Sequence, residues 1–252
     1  MAVEEVFDSH TVWVSEINKT ASLLLDRIRP VPNHGDLKKI TWEEIEQIDI
    51  LTAGYPCQPF STAGNRKGTD DPRHIWPYIK DAIRRLRPRL VILENVRGHL
   101  SLGFSGVLGD LADIGYDAKW STFRASDIGA VHSRERIFVI AYPTHGQLPI
   151  HRKMQELGSR PSPCVDMPVS HTINGGIYAS TFNRWASIIG RPAPYPTHEG
   201  QVNPAFIEWM MGLPEGHVTG QGISGAQQCH LLGNGVVPQQ AAHAIRSLLC
   251  LN

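Results

Sequence analysis

Short apolar runs mark the strands that we predict in this chain. Ile48–Ala53 and Leu90–Leu93 are the clearest, and each is bounded by polar or glycine residues. Runs of four to eight such residues are typical of strands that are buried on both faces of a sheet. Residues 11–15, 117–123 and 136–141 predict three further strands.

Apolar residues with helical spacing predict amphipathic helices between these strands. The predicted helices cover residues 1–9, 18–27, 75–86, 104–114, 206–214 and 240–251. Thr41, followed three residues later by Glu44, predicts another helix start with a capping box. Helices that alternate with buried strands indicate an α/β fold.

This periodicity is lost after Tyr142. Residues 143–205 are rich in Pro, Gly, Ser and His and contain almost no periodic apolar run. We therefore predict one domain built from residues 1–141 and 206–252, with residues 142–205 inserted into it as a separate region.

The charge balance argues against a generally basic nucleic-acid-binding surface. The 252 residues include 24 Lys and Arg and 24 Asp and Glu, so the net charge is zero. Any contact with DNA must then depend on local basic patches. One arginine cluster lies at the end of a predicted helix, and the solvated face of that helix is the better explanation for it; its members are Arg84, Arg85, Arg87 and Arg89.

The remaining composition favours a protein of a reducing compartment that does not cross a membrane. The four cysteines lack the paired spacing of a metal site and imply no disulfide framework; they are Cys57, Cys164, Cys229 and Cys250. A membrane-spanning helix needs about 18 or more consecutive apolar residues, and we expect none here. The acidic start is unlike a signal peptide.

Cys57 is the first candidate for chemistry. It lies between Pro56 and Pro59, just after the strand that ends at Gly54. Both prolines restrict the backbone, which makes a stiff mount for a nucleophile. If the two clearest strands are parallel neighbours, Cys57 and Glu94 open into one crevice at the carboxyl edge of the sheet, where α/β folds bind ligands. A buried, inert cysteine in a turn is the alternative.

Four motifs in order resemble the DNA (cytosine-5)-methyltransferase family. They are Pro56-Cys57-Gln58, Glu94-Asn95-Val96, the stretch His132–Phe138 and Gly233-Asn234-Gly235-Val236-Val237-Pro238. The resemblance covers roughly residues 12 to 245. It implies a Rossmann-like, class I S-adenosylmethionine-dependent methyltransferase sheet with a small target-recognition region, and it assigns residues 142–205 to that region.

The resemblance also implies a reaction. S-adenosylmethionine is the methyl donor, and the substrate is a cytosine flipped out of double-stranded DNA. Cys57 is the nucleophile that adds to carbon 6 of the ring. Glu94 holds ring nitrogen 3 in its protonated form, and burial beside an apolar strand can raise the pKa of its carboxyl group. Arg134 and Arg136 alternate on a strand and face one side; one can reach the cytosine carbonyl while the other supports the site.

Three residues are expected to bind the cofactor. Glu16 ends a predicted strand, where a carboxylate can accept both ribose hydroxyls, although it could equally be a surface residue that begins a helix. Asp36 resembles the aspartate that binds the adenine amino group, but it could be a turn residue. The resemblance also assigns Asn234 to the cofactor site.

DNA contacts are expected from two regions. Residues 64–73 form a polar, glycine-bearing loop, and Ser61, Arg66 and Lys67 could contact phosphates there or simply be solvated. Residues 183–185, which read Asn-Arg-Trp, could reach base edges or sugars. His132 replaces the glutamine usual in the family, so we do not include it among the site residues.

Two other functions stay open at this point. A branch of the same family methylates tRNA, and the chain could instead be a non-catalytic DNA-binding relic. Family members also begin with a strand and a Phe-x-Gly-x-Gly-Gly loop, whereas the first glycine here is Gly35. We therefore expect the first strand to be missing, through a start recorded at an internal methionine, which we favour, or through a true truncation. We expect residues 1–252 alone to fold poorly, bind the cofactor weakly or not at all, and transfer methyl groups very slowly. We further expect a monomer in the cytoplasm of a bacterial or phage-infected cell.

Overall fold

The computed structural model describes residues 1–56, 75–145 and 176–250. The helices are α1 (Ala2–Phe7), α2 (Lys19–Ile28), α3 (Trp76–Leu86), α4 (Phe104–Asp113), α5 (Ala179–Ile189), α6 (Pro204–Met210), α7 (Gly225–Asn234) and α8 (Pro238–Leu249). The strands are β1 (Ile50–Gly54), β2 (Leu90–Val96), β3 (Tyr116–Arg124), β4 (Glu135–Pro143), β5 (Thr197–His198) and β6 (Gln201–Val202).

A four-stranded mixed sheet organises the fold, in the order β1-β2-β4-β3. β1 and β2 are parallel neighbours, and Gly54 lies opposite Glu94 in their register. β4 runs antiparallel to both β2 and β3. The condition for one shared crevice, that the two clearest strands are parallel neighbours, is therefore met, and the ends of β1 and β2 lie at one edge of the sheet.

Helices cover both faces of this sheet. Val91 and Leu93 point to one face, where they pack in one core cluster with residues of α3 and α4. Leu90 and Ile92 point to the other face and pack with α1 and α8. Because successive strand residues alternate between faces, a strand covered on both sides must be apolar throughout. This explains why β2 reads as an unbroken apolar run.

A third core cluster lies beneath α5 and α6. Trp185 and Trp209 are both fully buried there, and Trp185 Nε1 donates to the Trp209 carbonyl at 2.9 Å. Trp209 Nε1 in turn donates to the Arg191 carbonyl at 3.1 Å. The described part of residues 142–205 is therefore anchored by an amphipathic helix that its composition did not predict.

Two local predictions were wrong. The segment 11–15 is not a strand of the sheet, because it forms only one bridge, between Val14 and Asn33, and among the described strands β1 pairs with β2 alone. Thr41 begins only a single 3₁₀ turn, Trp42–Glu44, and its side chain caps nothing. Within the described ranges, no helix is both long and apolar enough to cross a membrane.

Candidate active site

An acid–base pair lies where β2 and β4 meet at the carboxyl edge of β2. Arg136 Nε lies 3.0 Å from Glu94 Oε1, and each side chain is 17% exposed. Arg136 on β4 lies opposite Val96 on β2, and Val96 is two residues beyond Glu94. Because alternate residues of a strand share a face, the side chains of Glu94 and Arg136 leave the sheet on the same face. The sheet itself therefore brings together two residues of the predicted catalytic set.

Burial controls the protonation of Glu94. It raises the pKa of this carboxyl group above its ordinary value of 4.5, and this effect exceeds the opposing pull of Arg136 and Arg134. The predicted direction of the shift is confirmed. A carboxyl group that holds its proton more tightly can donate a hydrogen bond to a base at a pH where an exposed glutamate would be ionised.

Arg134 connects this pair to the carboxyl-terminal motif. Its Nη2 donates to the Gly235 carbonyl at 2.6 Å, whereas its buried Nε has no hydrogen-bond partner among the described residues. Burial also lowers the pKa of Arg134. β4 begins at Glu135, so the prediction that both arginines lie on the strand was wrong by one residue, although both act on the pKa of Glu94.

The backbone leading to Cys57 is fixed by residues to which the sequence gave no role. The Asn95 amide donates to the Tyr55 carbonyl at 3.0 Å, and Tyr55 Oη lies 3.0 Å from His99 Nε2. A mostly apolar cavity of about 160 Å³ lies beside them, with Pro56 in its wall. Asn95 follows Glu94 in its motif, so the sequence could single out this residue. It could not predict that the partner of Asn95 is the Tyr55 carbonyl, forty residues earlier.

Four predicted site residues lie outside the described residues. They are Cys57, Ser61, Arg66 and Lys67. On the near side of this gap, a Cβ atom at Gly54 would lie 3.4 Å from Glu94 Oε2. The carboxylate thus lies against the end of β1, the strand that leads to Cys57.

Glu16 and Asp36 lie on neighbouring segments. The Glu16 amide donates to Asn33 Oδ1 at 3.0 Å, and the Ser15 hydroxyl donates to the Gly35 carbonyl at 2.8 Å. Glu16 Oε1 accepts from the Asn18 amide at 2.7 Å. Glu16 and Asp36 are both half-buried.

Asp36 is also engaged locally, because its Oδ1 accepts from the Lys38 amide at 3.0 Å. Asn234 lies elsewhere, at the exposed end of α7 and next to Gly235, the residue that binds Arg134. The predicted cofactor residues thus lie in two places. Glu16 and Asp36 are on two neighbouring segments, and Asn234 is on the arginine side of the crevice.

Other candidates have structural roles. His132 Nε2 lies 3.0 Å from the Met210 carbonyl, and burial lowers the pKa of the ring. Arg84 and Arg85 both bind Asp81, at 2.6 and 2.8 Å, so much of the arginine cluster is neutralised within its own helix. Full burial of Trp185 shows that its expected contact with bases was wrong.

The described residues contain no group of His, Cys, Asp and Glu that could hold a metal ion. Cys229 is half-buried and Cys250 exposed, and both are free thiols. Among the described residues, Arg136 and Arg134 are the arginines whose charge lowers the pKa of Glu94, against the larger effect of its burial.

Comparison with known proteins places this geometry in a family. The family model for C-5 cytosine-specific DNA methylase matches residues 2–172. Type II methyltransferase M.NaeI of Lentzea aerocolonigenes is 39% identical over 149 residues, which are 56% of this chain and 36% of that protein. M1.ScrFI of Lactococcus lactis subsp. cremoris is 34% identical over 137 residues, 52% of this chain and 35% of that protein. The match to these two relatives spans about a third of their length.

Solved structures extend the likeness in fold. A DNMT2 mutant of Spodoptera frugiperda has a TM-score of 0.67 at 16% identity, covering 98% of this chain and 94% of that one. S. pombe Dnmt2 has the same TM-score at 17% identity and the same coverage. At this identity the likeness concerns the fold alone, and it confirms the predicted Rossmann-like methyltransferase architecture.

Proposed function

Because this chain belongs to the C-5 cytosine-specific DNA methylase family, we propose that it methylates carbon 5 of a cytosine flipped out of duplex DNA. The observation that carries the proposal is the Glu94 carboxyl group. It lies opposite Gly54 and 3.0 Å from Arg136, and burial raises its pKa. A buried acid beside a fixed guanidinium suits recognition of a pyrimidine edge, where a ring nitrogen and a carbonyl oxygen are adjacent.

Cys57 and Glu94 are the proposed nucleophile and acid. The Cys57 thiolate forms a bond to carbon 6, while Glu94 donates a hydrogen bond or proton to ring nitrogen 3, which receives electron density. Carbon 5 becomes nucleophilic, takes the methyl group and loses its proton to a base, after which the thiolate leaves. Cys57 follows Gly54 by three residues, and three residues span at most about 11 Å.

We assign the carbonyl contact to Arg136. A group that reaches the carbonyl must lie beside the one that holds ring nitrogen 3, and Arg136 already touches the Glu94 carboxylate. Arg134 is instead tied to the Gly235 carbonyl. It therefore supports the site by fixing the carboxyl-terminal motif and by adding positive charge near Glu94.

S-adenosylmethionine supplies the methyl group when bound, and the donor set near Glu16 fits its adenosyl part. Glu16 and Asp36 each use one carboxylate oxygen for a neighbouring backbone amide. The second oxygen of each can accept from a ribose hydroxyl and from the adenine amino group. Asn234, on the arginine side of the crevice, is proposed to contact the cofactor from there.

DNA recognition is assigned to two regions. We propose that Ser61, Arg66 and Lys67 contact backbone phosphates, and that residues 142–205 form the target-recognition region. A base inside a duplex cannot reach Glu94, so the target must be flipped out. The named relatives are bacterial Type II methyltransferases, which supports action on DNA in the cytoplasm of a bacterial or phage-infected cell. We propose that the protein acts there as a monomer.

Transfer of a radiolabelled methyl group tests this function. Duplex DNA of mixed sequence and tRNA are offered separately, and modified DNA is mapped by bisulfite sequencing. We expect label in duplex DNA at cytosines within a defined sequence. Label in tRNA alone would contradict the DNA assignment, and label in neither would contradict the methyltransferase activity.

A further inference from the structure

A solvent-facing cavity of about 450 Å³ lies between α5 and the loop that follows β3. Its wall is about half polar and comes from both segments. The lining residues are Ser126, Gly129, Ala130, Ser180, Thr181 and Arg184. Three hydroxyl groups and one guanidinium thus line the cavity, and none of the six residues carries a carboxylate.

Arg184 differs from several other arginines of the protein. Arg136 binds Glu94 at 3.0 Å, and Arg246 binds Glu5 at 2.8 Å. Arg184 is exposed, and no carboxylate of the described residues lies within ion-pair distance of it. An arginine that lines a hydroxyl-rich cavity without an acidic neighbour is suited to binding an anion.

Gly129 holds Arg184 over the cavity. It has a φ of +89°, and a Cβ atom there would lie 3.0 Å from Arg184 Nε and 2.6 Å from Ile188 Cδ1. The arginine side chain therefore rests directly on the glycine backbone. Ser180 and Thr181 occupy the first turn of α5, where no side chain caps the helix, and the helix dipole favours negative charge at that end.

We propose that this cavity binds a phosphodiester of the DNA backbone, an inference that rests on the proposed function. Its position agrees with that ligand. The Ala125 amide donates to the Arg134 carbonyl at 3.0 Å, so the loop carrying Ser126 and Gly129 is tied to the backbone of Arg134. A phosphate bound in the cavity would therefore lie on a loop that is joined to the proposed base site.

Salt-dependent binding of a labelled duplex oligonucleotide, without cofactor, tests the assignment. Each phosphate neutralised contributes a slope of about −0.9 in log K against log salt concentration. Arg184→Ala should therefore make the slope less negative by about one and weaken binding about tenfold or more at low salt. Ser180→Ala should weaken binding a few fold and leave the slope unchanged, because a neutral donor displaces no counterion.

Arg89→Ala is the matched control. Arg89 is exposed, lies 4.0 Å from Asp49 and precedes β2, at the opposite edge of the sheet from Glu94. The Arg89→Ala variant loses the same charge as Arg184→Ala but should keep a DNA affinity and a salt slope close to the wild-type values. Arg184 is exposed, and α5 is anchored in the core by the neighbouring Trp185, which is fully buried. The Arg184→Ala variant should therefore fold normally and keep the wild-type circular dichroism spectrum.

The outcomes separate the cavity from the reaction. An unchanged slope and affinity in Arg184→Ala, or an equal loss in Arg89→Ala, would overturn the phosphate site. Binding of tRNA in place of duplex DNA, lost in Arg184→Ala, would overturn the choice of DNA. A wild-type protein that binds duplex DNA but methylates nothing contradicts the proposed function, while the slope comparison still decides the cavity.

Discussion

The carboxylate proposed to act on the base and the one proposed to bind the cofactor are held in opposite ways. Glu94 lies on β2, which has a paired strand on each side. Glu16 follows a segment with one bridge to Asn33 and is held by that residue's side chain. The position of Glu94 is set by the register of the sheet, and the position of Glu16 by the side-chain amide of Asn33.

The difference matches what each carboxylate has to do. Glu94 needs a raised pKa to keep a proton, and its desolvated position on the covered sheet provides that shift. A carboxylate that accepts hydrogen bonds from ribose needs only its ionised form, so a half-exposed turn is sufficient. We therefore expect substitutions at the Glu94 end to change the chemical step and substitutions at the Glu16 end to change cofactor affinity.

The largest effect is expected at the base end, from Cys57→Ala. Without the thiolate, no bond to carbon 6 can form, so methyl transfer should fall to background. DNA carrying 5-fluorocytosine should trap the wild-type enzyme covalently, because fluorine cannot leave as the proton does. Denaturing gel electrophoresis measures the adduct, with Cys229→Ala as the matched thiol control.

Cys229 is half-buried on α7 and has no part in the proposed reaction. Its variant should form the adduct in wild-type yield. An adduct in Cys57→Ala would show that another residue is the nucleophile, and methyl transfer that survives in this variant would contradict covalent catalysis by Cys57.

Glu94→Gln should give the next largest loss. A positioned general acid contributes about 10²- to 10⁴-fold to rate, and a glutamine can hydrogen-bond to ring nitrogen 3 but cannot protonate it. The single-turnover rate should fall by about that factor while DNA affinity changes little. Equal rates for the two proteins would exclude Glu94 as the acid.

The pH dependence of the same pair sharpens this test. The protonated form of Glu94 is the active one, so the wild-type rate should fall as pH rises through its raised pKa. This limb should be absent in Glu94→Gln. Stability follows the same direction, because a folded state that holds the proton more tightly loses unfolding free energy as pH rises from 4.5 through the raised pKa. Urea denaturation at several pH values measures it.

Arg136→Lys should have a smaller effect than loss of the acid. Lysine keeps the charge but loses the planar fork that contacts Glu94 and is proposed to contact the base, so we expect the rate to fall about tenfold to a hundredfold. Arg134→Lys should cost less, because Arg134 acts through the Gly235 carbonyl. Single-turnover kinetics of both variants show which substitution lowers the rate more. A larger loss in Arg134→Lys would assign the carbonyl contact to Arg134 and the supporting role to Arg136.

The sheet was predictable because its signals are local. β2 is apolar on both faces, and that alone indicates a strand covered on both sides. Phe182, Trp185 and Ile189 also keep helical spacing and pack in one core cluster, but the Pro- and Gly-rich composition around them concealed α5. There, individual apolar positions were more informative than average composition.

The site was less predictable where contacts join distant segments. Glu94 and Arg136 could be named from motifs, whereas the hydrogen bond from Asn95 to the Tyr55 carbonyl depends on strand register. The single bridge between Val14 and Asn33 likewise depends on which segments become neighbours. A strand-like pattern reports what a segment can form and leaves its partner undetermined.

The smallest expected effect lies at the cofactor end, in Asn33→Ala. Asn33 Oδ1 accepts from the amides of Glu16 and Gly35, at 3.0 and 3.1 Å, and its Nδ2 donates to the Glu16 carbonyl at 3.1 Å. Because Asn33 is exposed, each bond is worth about 1 kcal/mol or less, and the turn should loosen without unfolding. We expect KM for S-adenosylmethionine to rise about three- to tenfold with kcat nearly unchanged, which initial-rate kinetics at saturating DNA measures. Asn18→Ala is the matched control, since it removes the α2 cap but leaves the side-chain bonds of Asn33 in place. A fall in kcat with constant KM in Asn33→Ala would show that this turn acts on the chemical step, and the contrast between the two ends of the crevice would be wrong.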